Sequence, residues 1–406
     1  MINRFTVLAV LFLCFLPGKP VNAYAQEIYL GMSADFSGPN RGLGIEFYRG
    51  AACYFESLNS RGGIHGRNVV IKAYDDRYEP EPAVNNTVKL VEEDQVFALF
   101  NYVGTPTPTR VLPLLRYYQE QGIYLFTPMT GADPVLGHEF VVGLRASYNE
   151  EIRVAVDRFV AAGATKIGVM HQLDAYGRGG WQGVKKALEN HGLEIVAEAT
   201  YERGQSLDSS FLPQVQILKE ADPDAIISIA TYEAGAAFIR DARDNGLDAV
   251  IHNLSFAGFF KMLKHLKAME NEYSRDYLSG LVSSQVVPFY GYEDHELVQE
   301  YLDCLELINP GLPDNIKVSG YDFPGPNSVG FEGFLNAMFI AAVLENLGPE
   351  IPRHQIPQVL DDAGGLNGPM HYRDIFFQWQ DRDDVFFVSI RDGNIVSIND
   401  FSGLFK

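Results

Sequence analysis

Cysteine is scarce in this 406-residue chain, at three residues, and tryptophan scarcer still, at two. Only Cys53 and Cys304 lie beyond the first 25 residues. They are far apart in sequence, so two buried thiols are expected rather than a disulfide. Basic residues are also in deficit, 32 Lys and Arg against 52 Asp and Glu. That balance argues against nucleic acid or an anionic membrane surface as a partner. No segment after the first 25 residues approaches the roughly 18 consecutive apolar residues a membrane-spanning helix needs. Catalytic signatures are missing too: there is no Gly-x-Ser-x-Gly elbow, P-loop, His-Glu-x-x-His or paired-cysteine metal spacing, and the nine histidines are scattered. Gly42-Leu-Gly44 lacks the third glycine of a dinucleotide fingerprint. No enzyme activity, cofactor or metal is expected.

What is present begins with a leader. Arg4 precedes an apolar block over 5–16, and Ala23-Tyr24-Ala25 has the small-x-small form of a signal-peptidase site, so residues 1–25 read as a signal peptide and the mature chain is expected to be exported to the periplasm. Without Arg4 and Lys19, 30 basic residues face 52 acidic ones, a formal charge of −22. The length after cleavage exceeds what one core comfortably organises, which predicts two lobes.

Apolar, β-rich runs alternate with amphipathic patterns along most of the chain, as parallel sheets with crossover helices require. Strands are expected at 28–32, 69–74, 97–100, 123–126, 141–144, 166–170, 194–200, 225–229, 249–251 and 280–286. Helices are expected at 49–57, 82–92, 108–119, 150–161, 181–190, 211–219, 233–245 and 294–307. A strongly apolar helix at 329–347 belongs in a core. From 376 onward an antiparallel ribbon is expected, turning at Asp392-Gly393.

The strand ends carry the binding chemistry. Asp35-Phe-Ser37-Gly-Pro39 follows the first strand and reads equally as a ligand-facing loop or a helix cap. Gly104 and Thr105 follow the 97–100 strand and open a helix, where a glycine permits close approach and free N–H groups suit a carboxylate. Thr127-Pro-Met129-Thr130-Gly131 repeats that chemistry one strand later. An open parallel sheet brings both loops to one crevice. Tyr176 sits in the matching loop of the second half, with Tyr232-Glu233 and Asn253-Leu-Ser255 at two further strand ends.

Together these motifs resemble the solute-binding proteins of branched-chain amino acid and amide ABC transporters, which have the type I periplasmic binding fold. The resemblance also rests on Asn59-Ser-Arg-Gly-Gly-Ile-His-Gly66, Tyr74-Asp-Asp76, Asp174-Ala-Tyr-Gly177 and Phe331-Glu-Gly-Phe-Leu-Asn-Ala337. It implies an α/β fold of two doubly wound parallel-sheet lobes joined by three crossings, with 26–148 plus 284–375 in one lobe and 149–283 plus 376–406 in the other. It implies hinge closure on a small-molecule ligand, delivered by a monomer to an ABC transporter permease. A secreted sensing subunit of the same fold is the alternative. In amino acid binders of this family the ligand carboxylate is held at positions matching Gly104, Thr105 and Gly131, and the ammonium by a carbonyl matching Met129 and by an acidic side chain. Tyr176 and Tyr232 match the covering aromatics.

Two departures stand out. The acidic position falls on Ser255, and the second-loop threonine is shifted to Thr130. A buried ammonium without a carboxylate would cost several kcal/mol. The expected ligand is therefore an amide, a urea-like compound or a small carboxylate rather than an amino acid, unless Glu233 restores the ammonium contact.

Overall fold

The computed structural model describes residues 27–291, 295–362 and 385–405. The first sheet has five parallel strands, β1 (Ile28–Ala34), β2 (Val69–Asp75), β3 (Ala98–Phe100), β4 (Leu125–Phe126) and β5 (Val141–Val142), in the order β2-β1-β3-β4-β5. The second has seven: β6 (Ile167–Gln172), β7 (Ile195–Tyr201), β8 (Ala225–Ile229), β9 (Val250–Asn253), β10 (Leu281–Gln285), β11 (Phe386–Arg391) and β12 (Asn394–Ser397). Their order is β12-β11-β10-β9-β8-β6-β7, parallel except for the β11–β12 ribbon, which pairs antiparallel on β10.

Helices α1 (Arg41–Ser60), α2 (Pro80–Val88), α3 (Pro106–Tyr117) and α4 (Asp133–Leu136) connect the first strands, and α5 (Tyr148–Ala161) leads into the second sheet. There α6 (Ala175–Glu189), α7 (Leu212–Glu220), α8 (Tyr232–Asp244) and α9 (Phe259–Tyr273) are the crossovers. The chain then returns to the first lobe as α10 (Glu296–Leu307), α11 (Ser328–Asn346) and α12 (Ile356–Asp362).

The first sheet is covered on both faces, and alternation sorts its side chains. In β3, Ala98 and Phe100 join the layer under α1 and α11, while Leu99 joins the one formed with α2 and α3 by Leu90, Val111 and Leu115. α1 and α11 cross closely: a Cβ at Gly50 would fall 1.8 Å from the Gly330 carbonyl oxygen. α11 is long and apolar enough to cross a membrane by length and composition, but most of its apolar stretch is buried inside the protein. It is a core helix, as expected.

One expectation is overturned. Cys53 on α1 and Cys304 on α10 are joined in a disulfide, with Cα atoms 6.0 Å apart. Docking of α10 on α1 brings together two residues 251 apart in sequence, and sequence separation carries no trace of that packing. The part of the expected ribbon at 376–379, the third crossing near 375 and the signal peptide lie outside the described residues.

Candidate ligand-binding site

Both sheets point their carboxyl edges at the crevice between the lobes, where an open α/β sheet binds ligands. On the first lobe, β1 ends in a loop that folds on itself. The Asp35 carboxylate accepts from the amides of Gly38 (2.5 Å) and Asn40 (2.7 Å), and its burial pushes its pKa up to about 6. Ser37 is exposed, and its hydroxyl donates to Asp75.

After β2, the chain turns through two successive left-handed residues, Arg77 (φ 55°) and Tyr78 (φ 63°). The carboxylates before them hold this turn: Asp75 accepts from the Arg77 amide at 3.1 Å and Asp76 from the Tyr78 amide at 2.9 Å. Tyr78 is thereby aimed into the crevice. Its ring edge lies where a side chain on Gly104 would be, since a Cβ there would come within 2.8 Å of Tyr78 Cε2, and Gly104 has φ +119°.

Beside this ring is a cluster of hydroxyls. Thr105 Oγ1 lies 2.8 Å from Thr130 Oγ1 and 3.1 Å from Tyr148 Oη, all three groups being buried. The Gly104 amide donates to the Met129 carbonyl at 3.2 Å, and the Gly131 carbonyl accepts from the Tyr148 amide at 2.7 Å. Thus five of the expected residues, Gly104, Thr105, Met129, Thr130 and Gly131, form one continuous surface. Pro106 and Pro108 in the first turn of α3 remove two N–H groups a carboxylate could have used, which leaves the hydroxyls as the main donors.

The second lobe supplies an aromatic wall. Asp174 caps α6 by accepting from the amides of Tyr176 (2.9 Å) and Gly177 (3.3 Å), fixing Tyr176 in the crevice. The Tyr176 ring stands 5.3 Å from Tyr148 and 4.8 Å from Phe256. Tyr176 and Tyr78 are fully buried, and burial drives both phenols well above their usual pKa.

Ser255, the position expected to replace an acid, is held by one. Glu151 on α5 accepts from the Ser255 amide (3.0 Å), the Ser255 hydroxyl (2.8 Å) and the Ser284 hydroxyl (2.6 Å). Arg145 meets Ser255 Oγ with one guanidinium nitrogen and pairs through another with Glu332 of α11 at 3.0 Å. A buried chain of Glu332, Arg145, Ser255, Glu151 and Ser284 therefore spans the passage from β5 to α5.

Tyr232 and Glu233 lie elsewhere, at the cleft mouth. The Tyr232 hydroxyl accepts from the Gly42 amide across the lobes at 3.3 Å, and Glu233 stands 3.9 Å from Arg41. They line a cavity of about 380 Å³ with Ser37, Lys261, Lys264 and His265, and none of the Gly104, Thr105, Met129, Thr130 or Gly131 surface takes part in it. On the opposite side of Tyr78, Arg203 bridges to Glu79 at 2.7 Å. Sequence reasoning missed Tyr78, Tyr148, Glu151 and Phe256. Only the Tyr74-Asp-Asp76 motif, which positions Tyr78, gave a signal. No group of three or more potential metal ligands occurs among the described residues.

Comparison with known proteins agrees with this fold. The family model described as periplasmic binding protein matches residues 27–383. The chain is 26% identical over 227 residues to an amino acid binding protein of Pseudomonas aeruginosa, covering 55% of this chain and 59% of that one. It is 28% identical over 232 residues to a Leu/Ile/Val-binding protein homologue of Brucella melitensis, covering 56% and 61%. The matched stretch is thus under two thirds of those relatives' length. Among solved structures, a possible leucine/isoleucine/valine-binding protein from Rhodopirellula baltica superposes with a TM-score of 0.77 at 29% identity, over 94% of this chain and 98% of that one. A substrate-binding periplasmic protein from Ralstonia solanacearum gives 0.76 at 26%, over 92% and 100%. With two α/β lobes, binding chemistry at the facing strand ends and a family match over most of its length, this chain belongs to the periplasmic binding protein family.

Proposed function

We propose that this protein is an extracytoplasmic solute receptor that closes its two lobes on a small carboxylate-bearing ligand without a free ammonium group and delivers it to the permease of an ABC importer. The observation that carries the ligand class is the Glu151–Ser255 pair. The carboxylate nearest the expected ammonium position already accepts three hydrogen bonds, from Ser255 N, Ser255 Oγ and Ser284 Oγ, inside a chain that ends in the Arg145–Glu332 ion pair. An arriving ammonium would have to displace these donors in a buried setting. Glu233, the other candidate, is engaged with Arg41 at the cleft mouth. The hydroxyls of Thr105, Thr130 and Tyr148 are suited to a carboxylate or an amide oxygen.

A thermal-shift panel tests this reading. A ligand that binds only the folded state stabilises it by about 2.7 kcal/mol at a hundred times its Kd. Leucine, isoleucine and valine are compared with 4-methylpentanoate, other small carboxylates, amides and ureas. A rise with carboxylic acids that lack the ammonium, and none with the amino acids, is expected, whereas a rise with amides or ureas alone would overturn the carboxylate assignment. Stabilisation by leucine but not by 4-methylpentanoate would overturn the assignment. Association of the purified receptor with a permease encoded beside its gene tests the delivery role.

A further inference from the structure

Tyr78 and Phe256 face each other across the cleft from opposite lobes, with ring centroids 6.3 Å apart and planes inclined by only 30°. A flat group in van der Waals contact with both faces needs about 7 Å, at about 3.5 Å to each ring. Opening of the cleft would set these two rings on either face of a planar group. Tyr176 closes one side of this slot against Phe256, and Tyr148 stands behind Tyr176.

Two polar atoms face the same space. Tyr78 Oη and Tyr176 Oη are buried and make no hydrogen bond of normal geometry among the described residues. Gln172 lies within reach of the Tyr78 hydroxyl and also donates to Asp174 at 2.6 Å and accepts from Tyr201 at 3.1 Å, so Tyr176 Oη is the more isolated of the two phenols. A buried hydroxyl without a partner is costly, on the order of 1–3 kcal/mol, so a group that pairs with it is favoured there. The Tyr78 turn is built for its place, since two left-handed residues are held by two carboxylates and Gly104 yields the room.

We propose that Tyr78 and Phe256 form a clamp for a planar ring, and that the ligand is an aromatic carboxylate bearing a ring hydroxyl. Its carboxylate meets Thr105, Thr130 and Tyr148, its ring lies between Tyr78 and Phe256, and its hydroxyl pairs with the phenols of Tyr78 and Tyr176. This rests on the solute-receptor reading above and narrows its ligand class. Tyr78 is then the specificity-determining residue of the first lobe.

Titration calorimetry of the purified protein with 4-hydroxybenzoate, benzoate, cyclohexanecarboxylate and leucine tests the clamp, using the wild type, Tyr78→Phe and Phe256→Leu. Expected is 4-hydroxybenzoate binding at least about tenfold tighter than cyclohexanecarboxylate, as aromatic contact and one hydrogen bond together would give. Tyr78→Phe should weaken 4-hydroxybenzoate by about tenfold and benzoate by less than about twofold. Phe256→Leu should weaken both aromatic acids, and it carries the test if circular dichroism shows that Tyr78→Phe does not fold. Equal affinity for cyclohexanecarboxylate, equal losses for the two aromatic acids in Tyr78→Phe, or silence of both aromatic acids would overturn the clamp. Leucine or cyclohexanecarboxylate binding alone would do so while leaving the solute receptor intact. Silence of every compound, the wider thermal-shift panel included, would overturn the receptor reading as well.

Discussion

Ser255 Oγ donates to Glu151 Oε1 at 2.8 Å, and the Ser255 amide donates to Oε2 of the same carboxylate at 3.0 Å. Both residues are buried, so the pair joins the end of β9 to the start of α5 through two bonds that water does not compete for. Removing the hydroxyl leaves part of a buried carboxylate unsatisfied. Ser255→Ala is expected to destabilise the protein by about 1–3 kcal/mol. Glu151→Gln should lose a similar amount. Urea titration followed by circular dichroism measures both, and a midpoint equal to wild type for Ser255→Ala would show that the pair contributes nothing.

The Cys53–Cys304 disulfide closes a long loop, and its loss is expected to cost about 2–5 kcal/mol. The double variant Cys53→Ser with Cys304→Ser should match the reduced wild type in its denaturant midpoint and should not respond to dithiothreitol. A wild-type midpoint unmoved by reductant would contradict this.

At the α1–α11 crossing, Gly50→Ala sets a methyl against the Gly330 carbonyl and forces the helices apart. A loss of about 1–3 kcal/mol is expected. Gly311→Ala, where a Cβ would meet nothing within 4 Å, should be neutral and serves as the control. Differential scanning calorimetry of the two variants distinguishes close packing from a general intolerance of substitution.

His252 on β9 is fully buried, its ring 6.0 Å from Phe159 and 6.1 Å from Phe387, and burial lowers its pKa from 6.5 to about 3. Below pH 6.5 the unfolded chain takes up a proton at this site that the folded chain refuses. Stability is therefore fully present above pH 6.5 and falls as pH drops towards 3, by up to about 1.4 kcal/mol per pH unit from this residue. His252→Leu should flatten that part of the stability–pH curve by one proton. An unchanged slope between pH 6 and 4 in the variant would rule His252 out as its source.

Much of the alternation of strands and helices is legible in the sequence, because a parallel strand covered on both faces reads as a nearly continuous apolar run, as in β8, where only Ser228 interrupts it. Other features depend on contacts that no local pattern encodes. α1 begins at Arg41 rather than near Arg49, because Gly42 and Gly44 read as loop residues. They sit inside the helix, where a Cβ at Gly44 would fall 2.1 Å from the Asp35 carbonyl oxygen and one at Gly42 would press on the Lys261 side chain at 3.1 Å. α9 has no counterpart among the expected helices, although Phe260, Leu263, Leu266 and Met269 give it an apolar stripe at helical spacing. The loops holding Thr105 and Thr130 are legible because strand-end position and turn chemistry coincide. Glu151 is not, since an acidic residue in a first helical turn is commonplace and it becomes part of the site only through Ser255 and Ser284, both far away in sequence. Tyr78 is hidden for a related reason: its direction depends on a pair of left-handed residues that are neither glycine nor asparagine.

The bond between Cys53 and Cys304 also bears on the order of events during biosynthesis. α1 is among the first helices to leave the ribosome, yet the surfaces it packs on, α10 and α11, are translated only after every strand from β1 to β10. The second sheet waits longer still for its ribbon at the end of the chain. Neither lobe is a contiguous stretch of polypeptide, so neither can complete its core while synthesis is under way. The nascent chain must keep an unpartnered α1 and an open β10 edge from wrong associations until nearly all of it has emerged, and oxidation of the two thiols marks that the first lobe has closed.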